Sequence, residues 1–163
     1  MGKVKKFTAL SIRKITGGKD PLRLVEEFLI RQGHNPDQCL KDKTPETIRW
    51  VVTVSEGEEL EILVEGIKTI QETTIYMGIN VAMVPVRGAD ELLAAALEIA
   101  DGLVGIKLSL VGHFLVLSAS LGAAAIGVDE LEYHFKLIAA QKTWFQTTLA
   151  AELDWEVEGE EPA

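Results

Sequence analysis

Between Thr47 and Val84, apolar residues recur at every second position in three consecutive runs, and this alternation constrains the fold more than any other feature of the chain. Ile48, Trp50, Val52 and Val54 fall on one side of the first run, and Leu60, Ile62 and Val64 on one side of the second. Thr73, Ile75, Met77, Ile79, Val81 and Met83 continue the pattern in the third. A strand turns successive side chains to opposite faces, so these sets define one buried side of an antiparallel meander that helices must cover. Glu59, Glu61 and Glu65 alternate with the apolar set of the second run, which predicts a wetter opposite face.

A chain of 163 residues with 47% hydrophobic composition is long and apolar enough for one ordinary core. Its net charge of −9 is unevenly spread. Residues 1–43 hold ten Lys or Arg against five acids, whereas residues 44–163 hold six against twenty. A body this acidic repels a phosphate backbone, which argues against nucleic acid as a partner. The single cysteine, Cys39, leaves no internal disulfide to form and fits a reducing compartment. No signal-peptide core follows Lys3, Lys5 and Lys6, and the longest uncharged run, Leu108–Val128, is broken by Gly112, Gly122 and Gly127. The expectation is a cytoplasmic protein with no membrane partner.

The domain reading is a basic arm over residues 1–19, one α+β domain over 20–152, and an acidic tail over 153–163. Asp20-Pro21 opens the first helix, with Leu24, Val25, Phe28 and Leu29 as its buried stripe and Gly33 as its cap. His34-Asn35-Pro36 reads as a turn, and Asp37–Glu46 as a polar linker into the meander. Ser55–Glu58 and Gly66–Gln71 supply the meander's two connections. A second helix starts near Gly88-Ala89-Asp90 and stops at Gly102, with Leu92, Leu93, Ala96, Leu97 and Ala100 on one face. Strands over Gly105–Leu110 and Phe114–Ser120 flank a Gly112-His113 turn. A capping-box form at Asp129-Glu130-Leu131-Glu132 opens the last helix, which runs to about Glu152 and carries Leu131, Phe135, Ile138, Phe145 and Leu149 inward. Trp50 and Trp144 are expected in the core, and Trp155 on its own domain or on a partner. The predicted fold is α+β: a five-stranded antiparallel sheet with three helices, in the order α-β-β-β-α-β-β-α.

Catalytic and ligand motifs are missing from the sequence. Thr16-Gly17-Gly18-Lys19-Asp20 departs from a phosphate loop twice, with Arg13 at the leading glycine and Asp20 after the lysine. His34, His113 and His134 are isolated, with no carboxylate or cysteine at ligand spacing. Glu56, Glu58, Glu59 and Glu61 read as a solvated turn and strand face rather than an acid/base pair. No catalytic, metal or cofactor residue is assigned.

The order of elements resembles the type III secretion chaperone-like fold and, in detail, the bacterial YbjN family. The resemblance is carried by Pro21–Gln32, by Ile48-Arg49-Trp50-Val51-Val52-Thr53-Val54, by Leu92–Ile99, by the paired strands between Ile106 and Leu117, and by Val128-Asp129-Glu130-Leu131-Glu132-Tyr133. It spans roughly residues 20–152. It implies a dimeric, cofactor-free protein without catalytic residues, related to chaperones that bind extended segments of client proteins on sheet and helix surfaces. The basic arm lies outside it.

Two function classes follow. One is a noncatalytic protein-binding, chaperone-like or regulatory module with a sheet edge open to strand addition. The alternative is a small-ligand sensor or enzyme with a pocket between sheet and helices. A homodimer is expected in either case, because the narrow, Ala-rich second helix carries more apolar surface than one face can bury. Leu92, Leu93, Ala95, Ala96, Ile99 and Leu103 are its expected contact residues.

Overall fold

The computed structural model describes residues 20–67 and 72–153. Its elements, in order, are α1 (Pro21–Arg31), α2 (Pro36–Cys39), β1 (Leu40–Lys43), β2 (Thr47–Ser55), β3 (Glu58–Ile67), β4 (Glu72–Met83), α3 (Ala89–Ala100), β5 (Lys107–Val111), β6 (Phe114–Gly122) and α4 (Val128–Glu152). The expectation of an α+β fold with one antiparallel sheet and covering helices is met, but the described residues form six strands and four helices rather than five and three. The additional pair is α2 and β1, inside the stretch that reads as a polar linker. Asn35-Pro36 is a cap as well as a turn: Asn35 Oδ1 accepts from the Asp37 amide at 3.0 Å, and proline takes the first helical position. Every residue of β1 is exposed, so it has no apolar alternation to reveal it. Backbone pairing holds it to β2, with Leu40 opposite Trp50 and Lys43 opposite Ile48.

The sheet order is β1-β2-β3-β4-β6-β5, with all neighbours antiparallel. The predicted inward set is buried: Ile48, Trp50, Val52, Leu60, Ile62, Val64, Ile75, Met77 and Ile79 are each at most 3% exposed. Register carries that face across to Leu121, Ala119 and Leu117 of β6, opposite Ile75, Met77 and Ile79. Met83 departs from the expected set. The register shifts between Asn80 and Ala82, the residues beyond it change sides, and Met83 is 65% exposed opposite Phe114.

Three helices cover the inner face. Leu24, Val25, Phe28 and Leu29 anchor α1, and the ring of Phe28 meets Phe135 of α4 edge-on at 5.5 Å between centroids. The last helix packs on α1, α3, β4 and β6 through Leu131, Ile138, Phe145 and Leu149. Its cap lies two residues before the expected Asp129. Gly127 is its cap residue, and Glu130 reaches back to accept from the Gly127 amide at 2.8 Å. Glycine offers no side-chain oxygen in return, so one half of a capping box is present. Trp50 lies in the core as expected, but Trp144 is 42% exposed and covers Gly102 instead. No described helix is long and apolar enough to cross a membrane. The residue ranges 1–19 and 154–163, Trp155 included, lie outside the described residues.

Candidate binding surfaces

The expected contact residues of the second helix divide between two environments. Leu92, Ala96 and Ile99 are buried in the subunit's own core, which turns this stripe of α3 onto the sheet and α4, so these three have no surface to offer a partner. Leu93, Ala95 and Leu103 are half-buried beside them, and Leu97, read as sharing the buried face, is 69% exposed. Beyond the helix, Val104 and Leu110 are apolar residues also left outward, at 69% and 54% exposed, and with Leu93 and Leu97 they make up the apolar rim of this side.

The loop at this rim is held in place from α4. Gln141 accepts from the Val104 amide at 2.8 Å and donates to the Val104 carbonyl at 2.6 Å, so one side chain satisfies both backbone groups. The ring of Trp144 lies so close to Gly102 that a Cβ there would approach it to 2.7 Å. Val104 is thereby presented outward on a fixed backbone.

The second surface is the sheet face that no described helix covers. Tyr76 folds along its strand over Gly78, where a Cβ would come within 2.7 Å of the ring carbon Cζ. The ring buries Gly78 and its cross-strand neighbour Ser118, whose Oγ lies in no well-aligned hydrogen bond although the phenol is near enough to feel it. Burial, the larger influence, raises the Tyr76 pKa, and the Ser118 hydroxyl opposes this. Beside this ring the face hollows into an open groove of about 700 Å³, lined by Glu61, Leu63, Glu65, Glu72, Lys107 and Val111 among others. Glu61 pairs with Arg49 at 3.1 Å, also on the outer side of its strand. One end of the groove is acidic, at Glu65 and Glu72. At the other, Val111 pairs with Phe114 and Phe114 with Met83, an apolar corner whose members are 55%, 41% and 65% exposed.

A third recess, about 470 Å³ beside the β2–β3 hairpin, is the nearest counterpart to the expected ligand pocket between sheet and helices. Two of its charges, Lys142 and Glu58, are engaged with each other. Lys142 of α4 donates to Glu58, which also accepts from Ser55 at 2.6 Å, and Gln146 donates at 2.8 Å to the Val81 carbonyl next to the bulge. Glu58 keeps the solvent access expected of a turn residue, with its side chain 39% exposed, and in addition pairs with Lys142. The sequence signal for its role was Lys142, a cation on the apolar stripe of α4. Among the described residues, no three His, Cys, Asp or Glu are placed to hold a metal ion, and His134 is engaged with the Glu130 carbonyl at 2.8 Å.

No family model and no curated protein matches this sequence. Solved structures do match. A chain of the HopA1–SchA chaperone–effector complex aligns at 12% identity and a TM-score of 0.51, covering 77% of this chain and 91% of that one. A chain of the ExsC–ExsE complex aligns at 15% identity and 0.53, covering 78% and 92%. A chain of the heterodimeric ExoU–SpcU complex from the type III secretion system of Pseudomonas aeruginosa aligns at 16% identity and 0.52, covering 78% and 98%. The fold is type III secretion chaperone-like. Similarity at this identity concerns the course of the backbone, so the chaperone-like architecture is common ground while the side chains of the groove and rim are this chain's own.

Proposed function

We propose that this chain is a noncatalytic, chaperone-like protein-binding module of the YbjN type, acting in the cytoplasm as a homodimer and holding an extended client segment on its outer sheet face. The observation that carries the reading is the open groove running from Glu65 and Glu72 to the corner of Val111, Phe114 and Met83. An apolar corner joined to an acidic end favours a segment with basic residues at one end and apolar residues at the other. The likeness to chains from chaperone–effector complexes supports the same reading.

The working unit in this reading is the domain 20–152, flanked by the basic arm and the acidic tail. Pairing of two copies engages Leu93, Ala95, Leu97, Val104 and Leu110 along α3 and the edge of β5. Along β5, Leu110 of this rim faces the helix side, whereas Lys107, Ser109 and Val111 line the groove on the other side. The competing account, a sensor of small molecules, is tested by running a metabolite thermal-shift panel beside affinity capture on the full chain. The proposal expects stoichiometric recovery of a polypeptide and no metabolite shift; a reproducible metabolite shift with no polypeptide recovered overturns it.

A further inference from the structure

Six of the first nineteen residues are basic, namely Lys3, Lys5, Lys6, Arg13, Lys14 and Lys19, and none is acidic. Val4, Phe7, Leu10, Ile12 and Ile15 are interspersed among them. The outer groove has the complementary character. Among the described residues, Glu61, Glu65 and Glu72 line it together with Leu63 and Tyr76, against the cation Lys107. Glu61 is taken by Arg49, whereas Glu65 and Glu72 have no ion-pair partner among the described residues.

Topology sets Asp20, where the described chain begins, within reach of these two carboxylates. Glu65 lies opposite Thr74, Thr74 opposite Gly122, and Glu72 opposite Ile67, so Glu65, Glu72 and Gly122 share one end of the sheet. Asp20 lines the recess between α1 and the start of α4 together with Gly127 and Val128. Gly122 and Gly127 are separated by Ala123–Ile126, which bridges at most roughly 17 Å. Nineteen residues span up to ~63 Å when extended, enough to pass from this recess around the sheet end to Glu65 and Glu72.

We propose that residues 1–19 occupy the outer groove of their own subunit, with their cations at Glu65 and Glu72, as a built-in occupant that a client must displace. This rests on the reading of the outer face as a binding surface, and it adds the regulation of that surface. A tethered segment acts at an effective concentration on the order of millimolar, so contacts too weak to bind a free peptide suffice. The carboxylates are solvent-facing, so added salt releases the arm: the screening length falls from about 10 Å at 0.1 M to about 3 Å at 1 M.

The test is zero-length carbodiimide coupling on the full chain, using an equal mixture of natural-abundance and nitrogen-15-labelled protein. Expected are amide links from Lys3, Lys5, Lys6 or Lys14 to Glu61, Glu65 or Glu72 within one isotopic chain, strong at low salt and lost at about 1 M. In Glu65→Lys/Glu72→Lys, two changes at surface positions, the remaining links to Glu61 should also disappear. Links spread over unrelated carboxylates such as Glu26, Glu98 and Glu152, links solely between chains, or links indifferent to salt would each overturn the proposal. Its failure is distinguishable from failure of the client reading. If coupling is absent while a client is still lost from a groove variant, the arm is not the occupant and the client surface stands; coupling without any client gives the reverse.

Discussion

Lys142, buried on the longest helix, closes on the carboxylate of Glu58, which the β2–β3 hairpin brings to it across a sequence separation of 84 residues. The two partners are unequal: the Lys142 side chain is 8% exposed and that of Glu58 39%. Removing the carboxylate strands a buried ammonium, whereas removing the ammonium leaves a carboxylate that can turn to water.

Stability should follow that asymmetry. Glu58→Ala is expected to cost about 2 kcal/mol, the order of an unsatisfied buried charge with partial access to solvent. Lys142→Met keeps the packed stem and deletes the charge, and should stay within about 1 kcal/mol of the parent. Urea denaturation of the two variants decides the matter, and equal costs would contradict the account.

The same contact sets an acid limit. Hydrogen bonding from Lys142, then from Ser55, holds the Glu58 carboxyl below the usual carboxylate range. A lowered pKa gives stability that is fully present above the ordinary value and is lost as pH falls through the lowered one. The difference in unfolding midpoint between the parent and Glu58→Gln should therefore be flat near neutrality and shrink in acid. A difference that persists unchanged below the ordinary glutamate range would refute this.

On the outer face, Gly78→Ala should push the Tyr76 ring off its strand, because the added methyl needs the space the ring fills. The folded protein resists ionising this phenol, so its contribution to stability is present below the ordinary phenol value and fades as pH rises toward the raised one. Alkaline absorbance titration of the parent should show one of its two tyrosines ionising late. In Gly78→Ala that late phase should move to lower pH; a late phase that stays in place would mean that burial under the ring is not its cause.

Period-two alternation made the inner face legible, because Ile48 to Val52, Leu60 to Val64 and Ile75 to Ile79 obey it without interruption. It failed at Met83, since a bulge inserts a residue without leaving any mark in composition. It failed for β1, whose Lys41, Asp42 and Lys43 have no buried side to alternate with. On α3, Leu92, Ala96 and Ile99 and the adjacent stripe of Leu93 and Leu97 are both helical spacings, and tertiary packing decided which was covered. The glutamates of β3 were visible as an outer row. That Tyr76 would fold over Gly78 beside them depends on cross-strand proximity, which no single run of sequence encodes.

Dimerisation through the α3 rim predicts a mass of 2 × 17.8, or 35.6 kDa, in light scattering. Leu97→Glu places a charge at a residue already 69% exposed in the subunit, so it should reduce the mass to 17.8 kDa with little change in folding. A variant that remains dimeric would put the interface elsewhere, and a parent of monomer mass would remove it.

The central claim is that the outer sheet face holds a polypeptide client, and the most direct measurement is quantitative affinity capture on three versions of the full chain. Val111→Asp places a carboxylate on the exposed apolar corner of the groove, and Leu97→Glu places one on the rim. The account predicts that a polypeptide recovered in proportion to the parent is lost, by at least about tenfold, with Val111→Asp, the loss expected when about 1.4 kcal/mol of apolar contact is removed. Leu97→Glu should retain it while disrupting self-association. Equal recovery by Val111→Asp and the parent, with both folded, would contradict the claim.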